Sequence, residues 1–66
     1  MSIETLAAAF TALRATALAA GRTLEARKTE GAPVREIDAL ILAHRAAWTR
    51  FYSVETRLRN LQRAAS

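Results

Sequence analysis

Glu30-Gly31-Ala32-Pro33 is the only interruption in an otherwise continuous helical pattern, and it divides the 66 residues into two long segments of similar length. Gly31 suits the left-handed conformation that ends a helix. Pro33 suits the first turn of the next, where its missing N–H has no intrahelical partner. So short a polar connection between two long helices makes them antiparallel neighbours. The expectation is an all-α, two-helix antiparallel hairpin forming a single domain over 1–66, with helix 1 at about 3–29, the turn at about 30–33 and helix 2 at about 34–63.

Upstream of the break, Ile3, Leu6, Phe10, Leu13, Ala17, Ala20 and Leu24 recur at alternating steps of three and four, the a/d seam of a heptad repeat. Helix 1 therefore has one narrow apolar stripe. Ser2 is placed to cap its first turn, Glu4 and Lys28 suit the two ends of its dipole, and the alanines between Ala7 and Ala20 allow a facing helix to come close. Gly21 costs a helix interior about 1 kcal/mol relative to Ala, so a slight kink or a close crossing is expected there.

Downstream, Val34, Ile37, Ile41, His44, Trp48, Phe51, Val54, Leu58 and Leu61 follow at steps of three or four, with Leu40 and Ala47 beside them. At 100° per residue they spread over an arc of roughly 180°, wider than one partner helix covers. With the turn centred near residue 32, Trp48 should lie opposite Ala15 and Thr16, and Phe51 opposite Ala12 and Leu13, large against small.

A domain this small buries only about 60% of the surface its unfolded chain exposes. It needs a disulfide, a metal, a partner or unusually good packing, and with no cysteine the disulfide is excluded. The expected remedy is a twofold homodimer, a four-helix bundle with coiled-coil packing, whose dimer and core residues are Leu6, Phe10, Leu13, Ile37, Ile41, His44, Phe51 and Leu58. A helix from a different protein on the same face is the alternative.

No Gly-rich phosphate loop, cysteine nucleophile or metal-ligand cluster is present, and a two-helix protomer offers almost no concave pocket. The expectation is a protein that is not an enzyme, with no cofactor, no metal and no small-molecule substrate. His44, the sole histidine, reads as a seam residue rather than a pH switch, having no acidic partner at i±4. Glu36 and Asp38 do not share its face. Glu55 and Gln62, one heptad apart in the apolar arc, suit fixing register or oligomeric state, and Glu55 is also spaced to pair with Arg59.

Charge is unevenly placed. Residues 1–44 hold five basic and five acidic side chains and residues 45–66 hold five arginines and one glutamate, so the whole net charge of +4 lies in the last third. Along one edge of helix 2, Arg45, Tyr52, Arg59 and Arg63 fall within roughly 40° of one another beside Trp48. Arginine and aromatic residues supply contact area and directed hydrogen bonds at binding hot spots. The bland account is that Trp48 is buried in the dimer while the arginines solvate its rim.

The function expected from these residues is a protein–protein interaction module, a regulator, inhibitor, adaptor or assembly factor that dimerises and binds a macromolecular partner through Arg45, Trp48, Tyr52, Arg59 and Arg63. Two alternatives stand beside it. The basic C-terminal third could contact nucleic acid, consistent with a pI of about 11.2 but without a recognition motif, or the hairpin could be a structural subunit of a larger assembly. The N-terminus lacks the basic n-region and apolar h-region of a signal peptide, and no apolar run approaches the ~20 residues that span a bilayer, so a cytoplasmic protein with no membrane partner is expected. The small size would suit a phage or mobile-element accessory protein.

Overall fold

A computed structural model describes residues 2–65 of the chain as two helices, α1 (Ile3–Thr29) and α2 (Val34–Ala65), packed against each other as a hairpin. α1 starts where Ser2 leaves extended backbone. The Ser2 hydroxyl accepts from the Thr5 amide at 3.1 Å, satisfying one of the four donors that a helix start leaves without a partner. α1 ends in a Schellman motif: the Ala32 amide donates to the Arg27 carbonyl at 3.0 Å and the Gly31 amide to that of Lys28 at 3.1 Å. Gly31 takes φ +77°, which a side chain resists. The Pro33 carbonyl then accepts from Ile37 at 3.1 Å and opens α2, which runs two residues beyond its expected end.

Three contacts fix the register of the pair. Near the turn, the Arg27 guanidinium makes two hydrogen bonds to the Glu36 carboxylate, Nη2 to Oε2 at 2.8 Å and Nε to Oε1 at 3.2 Å, and it also pairs with Glu30. Mid-hairpin, the His44 ring lies over Gly21, where an added Cβ would come within 3.2 Å of Nε2. Towards the open end, the Phe10 and Phe51 rings lie 4.8 Å apart. That last contact differs from the expected pairing of Phe51 with Ala12 and Leu13: Phe51 meets a ring nearer the open end, large against large, as tilted aromatic pairs allow.

The fully buried apolar side chains are few: Leu6, Ala17 and Leu24 on α1, and Ala47 and Phe51 on α2. Arg27–Glu36 and Gly21–His44 set the register that brings Ala17 level with Ala47, two small buried residues facing each other. The ends are looser. Ile3, Val34 and Leu61 are exposed, and so is Gln62. Leu42 is 65% exposed on the face of α2 turned away from α1.

α1 departs from one expectation, being long and apolar enough by length and composition to cross a bilayer. The alanines between Ala7 and Ala20 provide that apolarity without a run of large side chains, which is why no oily block stands out in the sequence. It assigns no location, since the core helix of a soluble hairpin has the same composition.

Candidate functional site

The expected partner-binding residues sit on α2 in its middle and last turns, where a 3.6-residue period brings Trp48, Tyr52, Arg45 and Arg59 to one edge. Tyr52 lies stacked on Trp48, ring centroids 5.7 Å apart and 28° between planes, and both meet Phe51 edge-on at 5.3 Å. Through Phe51 the group continues to Phe10 on α1, and through Trp48 to His44, 6.4 Å away. Thus both phenylalanines, the one tryptophan, the one tyrosine and the one histidine form a single tier across the hairpin. It runs from buried Phe51 through half-buried Trp48 to Tyr52, 55% exposed.

Trp48 is held in place within this tier. Its indole N–H donates to Nε2 of His44 at 2.9 Å, an i,i+4 bond along α2. Accepting there leaves the His44 proton on Nδ1, and the ring's near edge rests on the bare backbone of Gly21. His44 is therefore a seam histidine, half-buried and hydrogen-bonded. The sequence could have yielded this bond from the four-residue step between His44 and Trp48, but not the role of Gly21, which needs the register.

Of the arginines at the edge, Arg59 pairs with Glu55 at 3.3 Å and Arg45 is exposed with no ion pair among the described residues. Arg63 is exposed in the last turn. The Trp48 and Tyr52 rings stack on each other, and Arg45 and Arg59 lie seven residues before and after Tyr52 on the same edge. Arg27 has a different job: hydrogen bonding by Glu36, then by Glu30, raises its pKa further above the ordinary guanidinium value, keeping the pair ionic. Arg27 and Glu36 stand equidistant from the turn, a signal legible once the turn is centred between Gly31 and Ala32.

Among the residues expected at the dimer interface and core, Leu6 and Phe51 are buried within the single chain, while Phe10, Leu13, Ile37, Ile41, His44 and Leu58 are half-buried. α1 covers the side of α2 that carries Ala47 and Phe51. It leaves the Ile37, Ile41, Trp48 side partly open. A shallow groove of about 370 Å³ at the open end, lined by Leu6, Arg57, Asn60 and Leu61, has no acid, base and nucleophile gathered in it. Among the described residues no group of three or more His, Asp or Glu is placed to hold a metal ion.

No protein-family model matches the chain, and neither the curated proteins nor the solved structures include a significant match to it.

Proposed function

We propose that this protein is a small, non-enzymatic, cytoplasmic interaction module, a regulator, inhibitor, adaptor or assembly factor, which dimerises as a four-helix bundle and binds another protein along the outer edge of α2. The observation that carries this reading is the aromatic tier, anchored in the core at Phe51 and emerging at Tyr52 between arginines. A rigid ring presented at a surface beside a guanidinium loses little side-chain entropy on binding and offers area and hydrogen bonds together, the chemistry of an interface hot spot. Supporting dimerisation, the chain exposes 4899 Å², against roughly 4,100 Å² for a compact monomer of its mass.

A nucleic-acid reading draws on charge alone. Arg14, Arg22, Arg35, Arg45, Arg50 and Arg57 form no ion pair among the described residues, against Glu4 and Asp38 on the acidic side. On α2, Arg50 and Arg57 lie on one side and Arg45 on another with Arg59 and Arg63, and no recognition motif accompanies them.

Affinity capture with the full chain tests the module. The variant Arg45→Glu/Tyr52→Ser should lose the bound protein while its circular dichroism stays that of wild type. Undiminished capture would remove the edge of α2 from consideration; nuclease-sensitive capture that falls steeply with salt would move the reading to nucleic acid. Recovery of the chain in the membrane fraction would displace the cytoplasmic setting.

A further inference from the structure

We infer that a proton and the Trp48 indole compete for one lone pair, that of Nε2 on His44, so that acid releases Trp48 and loosens the exposed half of the aromatic tier. The release follows from geometry within the hairpin. Its use, as regulation of the edge that binds a partner, rests on the proposed interaction module.

A neutral imidazole has one N–H and one acceptor nitrogen. At His44 the acceptor is Nε2, which takes the Trp48 indole N–H at 2.9 Å, so the ring's own hydrogen is on Nδ1. A second proton can enter only at Nε2. The imidazolium then presents an N–H where Trp48 already presents one, and turning the ring over only puts a carbon in place of Nε2. Nε2 is also the His44 atom nearest the place a Cβ would take on Gly21, at 3.2 Å. A ring that swings away from Trp48 therefore leaves its contact with α1 as well.

The added charge finds no counter-charge. On α1 the charged residues within about 40° of Gly21 are Arg14, Glu25 and Lys28. Arg14 has no ion pair among the described residues, and Glu25 is held by Lys28 at 3.6 Å. On α2 the one charged residue within about 40° of His44 is Glu55, about three turns further on and paired with Arg59 at 3.3 Å; Arg45 and Asp38 lie further round. The missing carboxylate at i±4, which marks His44 as a seam residue, thus also leaves an imidazolium there unpaired.

The tier spreads the effect of this one bond. Tyr52 stacks on Trp48 with centroids 5.7 Å apart, so the exposed ring is ordered by the ring that His44 holds. Phe51, buried against Phe10, stays anchored.

Trp48 is the only tryptophan, so the chain has a single indole N–H resonance. Following it by NMR from about pH 8 to about pH 5, across the ordinary imidazole range near 6.5, reads the bond directly. In the wild type it should move upfield, towards the position of a free indole, while helicity by circular dichroism holds. In His44→Gln and His44→Ala, which have no imidazole to titrate, it should stay in place. A wild-type resonance that does not move, or one that moves as far in both variants, would overturn the release. Capture of the bound protein should fall about tenfold between about pH 7.5 and about pH 5.5 for the wild type, the scale of one hot-spot contact, and should not fall for His44→Gln. Capture indifferent to pH while the indole is released would overturn the regulation alone. Capture absent at every pH would overturn the module and its regulation together, and the indole titration would still decide the release.

Discussion

α1 and α2 are both long, yet α1 buries a regular line of Leu6, Ala17 and Leu24 and turns alanines outward, whereas α2 fully buries only Ala47 and Phe51 and keeps a broad half-buried arc beside them. The difference follows from residue size. Alanine on α1 lets the second helix come close but covers little of it, so the large side chains of α2 spread past the edge of their neighbour. The narrow helix defines where the pair meets, and the wide one is left with surface to offer.

The sharpest way to break this contrast is at Phe51, which joins the core to the aromatic tier. Phe51→Ala should cost about 3–5 kcal/mol, a large share of what a chain this size possesses, and should abolish cooperative thermal unfolding by circular dichroism. Leu24→Ala on the narrow stripe should cost less, about 2–3 kcal/mol, because it touches one line of packing and not the ring network. Equal losses at the two sites would mean that the tier adds nothing beyond buried area.

The hairpin was legible in the sequence because its signals are local: a glycine that must take positive φ, a proline that cannot continue a helix, and a period of three and four on either side. The seam of α1 was likewise readable, apart from Ile3, which is exposed. The ring contact of Phe51 with Phe10 was not, since ring length and tilt decide it rather than backbone level. Nor did the composition of α1 announce its bilayer-spanning length, because alanine reads as filler residue by residue and counts only in aggregate.

At the turn, Gly31→Ala should destabilise by about 1 kcal/mol, read from the thermal midpoint. Nothing lies within 4 Å of the added methyl, so the cost is backbone conformation alone. Ser2→Ala, which removes the cap of α1, should lower stability by about 0.5–1 kcal/mol and fray the first turn in hydrogen exchange, leaving α2 protected. A loss of protection that spread to Phe51 would show that the first turn of α1 supports the tier.

The finest test lies where the two helices touch at the smallest residue. Gly21→Ala gains about 1 kcal/mol of helix propensity, but its Cβ meets Nε2 of His44 at 3.2 Å, the atom that already accepts from Trp48. His44 must then give way by a few tenths of an ångström, weakening a hydrogen bond worth about 1 kcal/mol, so the two terms nearly cancel and the substitution should change stability by no more than a few tenths of a kcal/mol. In a His44→Ala background nothing opposes the new methyl, and the same substitution should recover close to the full propensity gain. A double-mutant cycle with no coupling between positions 21 and 44 would show that Gly21 is only a weak point in α1; the expected coupling makes it the site where the narrow helix yields to the broad one.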